Sequence, residues 1–272
     1  MRLNTLESNL EAIAPPHWVS TLPAGLASAM ILAAGRGERM RPLTDTTPKP
    51  MLEVQGKPLM QWQMEALSRA GHHEQLINTA WLGPQIEAHF GLNPDLPNGG
   101  GVRLRYSHEG KEFGHALETA GGIVRALPFL APVFWVVAGD IYAPQFDFSS
   151  PMADEFVRSD KLAHIWLVPN PAHNPRGDFG LSSDGLALNL PKTANLFTFS
   201  TLALYKKEFF AAALTGMPEG NPQGKAVALA PLLRAAMDRG MVSASLYSGT
   251  WADVGTPERF CLLYTSPSPR DS

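Results

Sequence analysis

From residue 29 onward the chain alternates short apolar runs with longer stretches in which apolar residues return every three or four positions. The short runs at 29–34, 75–78, 102–106, 133–138, 164–168 and 197–204 are bounded by turn residues and predict strands. Helical spacing predicts helices over 60–70, 84–90, 118–126, 206–214 and 227–239. Pro84 suits a first helical turn, and Gly71 suits a helix end. Strands separated by helices predict an α/β fold whose open, mainly parallel sheet carries helices on both faces.

The ends of the chain break this pattern. Leu3, Leu6, Leu10 and Ile13 predict a short amphipathic helix stopped by Pro15-Pro16, so residues 1–28 read as an N-terminal extension. After Phe260 the text becomes CLLYTSPSPRDS, without periodicity, and residues 261–272 read as a non-native, disordered tail. The domain itself is expected over 29–260. No repeat appears at periods of 20–50 residues.

Bulk chemistry narrows the classes. Of 272 residues 44% are hydrophobic and 17% charged, enough for one sizeable core. The net charge of −3 weighs against a nucleic-acid partner. No run is long enough to span a membrane, and the first residues, lacking a charged start before a long apolar core, predict no secretory signal. A single cysteine, Cys261, excludes an internal disulfide framework or a Cys-rich zinc site and fits a reducing cytoplasm. His72-His73 follows the helix-ending Gly71 and is expected in solvent.

Residues 30–50, MILAAGRGERMRPLTDTTPKP, carry the chemistry. An apolar strand stops at Gly35, and a loop with Gly35 and Gly37 follows among Arg36, Arg39, Arg41 and Lys49. Glycines let backbone N–H groups approach a phosphate, and the cations neutralise it. A dinucleotide fingerprint fails because Met40 stands at its third glycine, and a P-loop fails because Pro58 follows Gly56-Lys57. Asp140 ends the strand run VFWVVAGD, where ligands gather in open α/β sheets.

The pattern G-x-G-x-R-M-x-P-L-T-x-x-x-P-K-P, complete from Gly35 to Pro50, resembles the signature of sugar-1-phosphate nucleotidyltransferases. Gly139-Asp140 and Trp251-Ala252-Asp253-Val254-Gly255-Thr256 resemble that family's two metal-carboxylate contexts. NTAWLG at 78–83 and LETAGG at 117–122 resemble its N-acetylmuramate-1-phosphate uridylyltransferase branch, as do NPAHNPRGDF at 170–179 and LFTFST at 196–201. The resemblance implies a Rossmann-like, GT-A-like nucleotidyltransferase fold with a mixed, mainly parallel sheet. It implies UTP and a sugar-1-phosphate as substrates, N-acetylmuramate-1-phosphate first among them, and Mg²⁺ as the cofactor. Arg39 and Lys49 would be the catalytic cations, at the leaving pyrophosphate and the α-phosphate. Ala34, Gly35, Gly37, Glu38, Asn78, Gly121 and Gly122 would bind the nucleotide, and Asn170 and Asp178 the sugar. Asp140 and Asp253 would hold the metal. Arg36 and Arg41 are expected at the rim or in solvent. Arg176 or Lys192 could meet a lactyl carboxylate.

The chain departs from this branch in three places. Ala138 stands where Asn-Gly-Asp is usual, Ala120 replaces the middle glycine of the base loop, and EGKEFGHA at 109–116 is longer than usual. Two alternatives follow: thymidylyl, cytidylyl or guanylyl transfer to another sugar-1-phosphate, and a non-catalytic nucleotide-sugar-binding relative. The presence of Arg39, Lys49, Asp140 and Asp253 together favours an enzyme.

Overall fold

The computed structural model describes residues 25–149, 151–190 and 195–265. The predicted helix at 3–13 and Lys192 lie outside the described residues. A nine-stranded sheet organises the chain. Its strands are β1 (Ala27–Ala33), β2 (Glu74–Thr79), β3 (Arg103–His108), β4 (Leu130–Ala138), β5 (Ala163–Val168), β6 (Phe179–Leu181), β7 (Ala187–Leu188), β8 (Leu196–Lys206) and β9 (Val242–Leu246). The order β7-β6-β8-β4-β1-β2-β3 runs across it, and β5 pairs with both β8 and β9. Strands β4, β1, β2 and β3 are parallel, with Leu32 opposite Asn78 on one side and Ala138 on the other. The long β8 runs antiparallel to β4, β5 and β6, which makes the sheet mixed.

Alternation along the strands builds two cores. Ala29, Ile31, Trp135, Val137, Leu202 and Leu204 face one side, together with Met60, Met64 and Leu67 of α1 (Leu59–Arg69) and Ile86 and Phe90 of α2 (Gly83–Phe90). Met30, Phe134, Val136, Ala203 and Tyr205 face the other, against Ile123 and Val124 of α3 (Glu118–Ala126) and Leu233 and Met237 of the helix Leu229–Met237. Helices therefore cover both faces, as the alternating pattern predicts. A smaller cluster of Met40, Leu52, Val54, Leu59, Tyr142 and Val254 fastens the loop after β1 to the end of the domain.

The structure corrects several local expectations. α4 (Pro151–Arg158) and β9 are additional elements. No helix spans 206–214: β8 continues to Lys206, and a tight turn (Lys207–Phe210) buries the adjacent Phe209 and Phe210 against Tyr205 and Phe134. The helix expected from 227 starts at Leu229 and is α5 (Leu229–Met237), because the Val227 backbone is already engaged by residues 117–121. Cys261–Thr265, expected in a disordered tail, lie in α6 (Pro257–Thr265), and Leu263 packs on the small cluster. Ala27 and Ser28, expected in the extension, open β1. His72 is fully buried: its Nδ1 lies 2.9 Å from Ser28 Oγ and its ring meets Trp135 edge to face. Among the described residues, no helix is long and apolar enough to cross a membrane.

Candidate active site

The parallel strands β1, β2 and β4 end together, and a cavity of about 670 Å³ opens beyond their carboxyl ends. Ala33, Ala34, Gly35 and Arg36 form its β1 wall, Asn78 comes from β2, and Ala138 and Asp140 come from the end of β4. Phe199, Thr201, Ala203 and Tyr205 of β8 form the opposite wall with Leu229 and Leu233 of α5. Glu109, Glu118 and Thr119 close a third side. Among the described residues, the cations on this wall are Arg36 and Lys49.

The loop after β1 is built around Gly37, whose φ of 66° suits a residue without Cβ. A side chain there would approach Thr44 Cγ2 to 3.1 Å and Lys49 Cβ to 3.2 Å, so the glycine lets the Lys49 stem pass. Thr44 Oγ1 donates to the Gly37 carbonyl at 2.8 Å and closes the loop. Lys49 then ion-pairs with Asp140, which follows β4 after Gly139. Gly139 N–H donates to the Leu32 carbonyl at 2.9 Å, which fixes the exit of β4 against β1.

Asp253 reaches the same corner by a different route. The short strands Ile141–Tyr142 and Ala252–Asp253 pair antiparallel, with Asp253 opposite Ile141, and Val254 N–H donates to the Asp140 carbonyl at 3.0 Å. The two predicted carboxylates thus stand on adjoining backbone, although residues 141–252 separate them in the chain. Asp253 pairs with His173 at 2.9 Å and with Arg259 of α6. Among the described residues, no cluster of three or more His, Cys, Asp or Glu is grouped to hold a metal. The oxygen donors that this corner offers, Asp140 and Asp253, are of the kind a hard cation such as Mg²⁺ takes, and each is paired here with a cationic side chain.

Gly121 and Gly122 are brought near the cavity without lining it. Gly121 N–H, with Ala120 N–H, is spent on the Val227 carbonyl, at 3.1 and 2.9 Å. A Cβ on Gly122 would come within 2.5 Å of Glu109 Oε1. These glycines bring α3 close to the 225–227 segment and to Glu109. The buried Asn78 accepts from Ala33 N–H at 2.9 Å and donates to Glu109 at 2.7 Å. Glu109, missed in the sequence, also accepts from Leu117 N–H at 2.7 Å, and burial raises its pKa. Its only sequence signal is its position directly after β3.

Asn170 and Asp178 fold their own loop. Asn170 donates to the Leu196 carbonyl at 2.9 Å, and Asp178 accepts from Phe199 N–H at 2.9 Å. They fix the start of β8, whose Phe199 lines the cavity. Glu38 and Arg39 lie exposed on the turn Glu38–Met40, outside the cavity wall. Arg36, expected at the rim or in solvent, instead lines the cavity. Arg41 is exposed and pairs with Asp45 at 2.8 Å.

The nucleotidyl transferase family model matches residues 28–264. Over 230 residues the chain is 45% identical to an N-acetylmuramate alpha-1-phosphate uridylyltransferase of Neisseria meningitidis serogroup B, covering 84% of this chain and 93% of that protein. A protein of the same description from Caulobacter vibrioides is 29% identical over 85% of this chain and 92% of its own length. The solved inositol-1-phosphate CTP transferase of T. maritima superposes with a TM-score of 0.61 at 17% identity, over 88% of this chain and 93% of that one, which shows the fold they share.

Proposed function

The chain belongs to the nucleotidyl transferase family, and from that premise we propose that it transfers a uridylyl group from UTP to N-acetylmuramate-1-phosphate, releasing pyrophosphate. One observation carries the reading: Lys49, Asp140 and the Gly35 loop share a cavity wall, with Asp253 on the strand beside Asp140. The sugar phosphate is already a nucleophile, so the protein's task is alignment and charge neutralisation. Its oxygen attacks the α-phosphorus in line, and pyrophosphate leaves on the far side.

Backbone amides from Ala34 to Glu38 hold phosphate oxygens. Lys49 stabilises charge developing at the α-phosphate, and Arg39 closes on the departing pyrophosphate. The base is read at the Glu118–Thr119 corner, which Asn78, Gly121 and Gly122 hold in shape. Asn170 and Asp178 act on the sugar through the β8 wall they fix. Asp140 and Asp253 would hold Mg²⁺, which when bound supplies charge neutralisation between the α-phosphate and the sugar phosphate. Such a reaction would serve the reuse of peptidoglycan sugars in the cytoplasm.

Ala138 favours a second reading. It lines the cavity where the branch usually offers an asparagine amide, so a sugar that needs no hydrogen bond there would suit this chain. The test is pyrophosphate release over a grid of UTP, dTTP, CTP and GTP against N-acetylmuramate-1-phosphate and glucose-1-phosphate. The first reading expects the highest kcat/KM for UTP with N-acetylmuramate-1-phosphate. A higher value for another pair would replace it.

A further inference from the structure

The loop after β1 contains an arginine with an unusually complete mounting. Arg36 Cζ stacks 3.5 Å from the centroid of the Trp81 ring. Its Nη1 donates to the Thr44 carbonyl at 3.0 Å, and its Nη2 lies 3.3 Å from Asp45 Oδ1. The Trp81 indole is pinned in turn, because its Nε1–H donates to the same Thr44 carbonyl at 2.9 Å. One carbonyl thus orients both the guanidinium and the ring behind it. A guanidinium carries more N–H donors than these two contacts use.

The local charge leaves Arg36 available to an anion. Asp45 is shared between Arg36 and Arg41, so one carboxylate faces two guanidinium groups. Lys49, the other cation on the wall, is already paired with Asp140. A planar, stacked guanidinium suits phosphate oxygens because its donors are fixed in one plane before the ligand arrives. Stacking on an indole holds that plane without consuming donors.

We propose that Arg36 binds the nucleoside triphosphate through its phosphate oxygens, and that Trp81 is a positioning residue acting through Arg36. The proposal rests on the nucleotidyl-transfer reading above. The triphosphate is chosen over the sugar phosphate because Arg36 lies within the Gly35 and Gly37 turn. Strand β4 separates β1, which leads into that turn, from β8.

The test is equilibrium titration of UTP, dTTP, CTP and GTP into the full chain, without sugar phosphate and therefore without turnover. It is followed by steady-state kinetics with both substrates varied. R36A is expected to weaken triphosphate binding about tenfold, and by the same factor for every nucleotide that binds the wild type. R36K, which keeps charge but not the planar fork, falls between. W81L reproduces most of the loss, whereas W81F, which keeps a ring face, retains most of the affinity. The KM for the sugar phosphate moves less than about twofold.

Unchanged triphosphate affinity in a folded R36A overturns the proposal and leaves the nucleotidyl-transfer reading standing. Equal shifts for both substrates also overturn it, as a general loosening of the loop would produce them. Wild type that binds dTTP but not UTP overturns uridylyl specificity alone, and the Arg36 comparison then proceeds on dTTP. Melting temperatures accompany each variant. If R36A fails to fold, the W81F and W81L pair decides the matter.

Discussion

At the residue scale, the cavity depends on pairs that meet across long stretches of chain. Lys49 and Asp140 have separate sequence contexts, and the structure joins them in one ion pair. K49M is expected to lower kcat by about 100-fold or more with little change in melting temperature. D140N is expected to abolish Mg²⁺-dependent pyrophosphate release, and a folded D140N with near-normal release would rule out its role. Gly121 makes a different demand. A side chain there would overlap the Lys225 carbonyl oxygen and come 3.2 Å from Val227 N, both of them backbone atoms that cannot swing aside. G121A should therefore cost about 2 kcal/mol or more in chemical denaturation, whereas a base-contact role alone would move KM and leave stability untouched. Lys49 and Asp140 were legible because their motifs are contiguous. Arg36 was not, because its mounting comes from Trp81 and Thr44 and only the fold brings these together.

At the element scale, the short pairing of Ile141–Tyr142 with Ala252–Asp253 does what neither strand could do alone. It brings the backbone of Asp253, from the far end of the domain, alongside that of Asp140, and Arg259 of α6 holds the Asp253 carboxylate. Arg259 of α6 pairs with Asp253 and contacts His173 Nε2 at 2.7 Å, while Phe260 and Leu263 pack on the cluster that anchors the loop after β1. F260A should destabilise the domain by about 1–2 kcal/mol, since the ring is only partly buried. It should also lower kcat, because the loosened helix no longer steadies Asp253. Lost stability with an unchanged kcat would uncouple α6 from the site. Elements were legible where one face is apolar: α3 appears at the predicted residues. The sequence over 206–214 has good helix formers, yet the chain leaves β8 in a tight turn whose Phe209 and Phe210 pack on Tyr205 and Phe134. Tertiary packing overrides propensity there.

At the scale of the whole molecule, the mixed sheet was legible in outline because its central strands are near-continuous apolar runs. β9 was missed because VSASL is a five-residue stretch with two serines and no aromatic, and it gains its strand character from pairing with β5. That pairing also buries His164, whose Nδ1 lies 2.9 Å from Ser243 Oγ. His72 is likewise buried, beside Trp135, and the two make the fold sensitive to acid. Burial lowers the His72 pKa to about 3 and that of His164 to about 4, against an ordinary value of 6.5. The folded state thus holds both rings neutral while the unfolded chain protonates them below pH 6.5. Their contribution to stability is complete above that pH and is lost as pH falls toward the folded values, at about 1.4 kcal/mol per pH unit for each ring. Urea unfolding at pH 7.5, 6.0 and 5.0 should show the free energy falling by about 4 kcal/mol in all, more than half of it between pH 6.0 and 5.0. H164F, which removes one titrating ring while keeping an aromatic beside Trp166, should roughly halve that slope. A stability that stays flat down to pH 5 would mean that water or structural relaxation reaches these rings in the folded state.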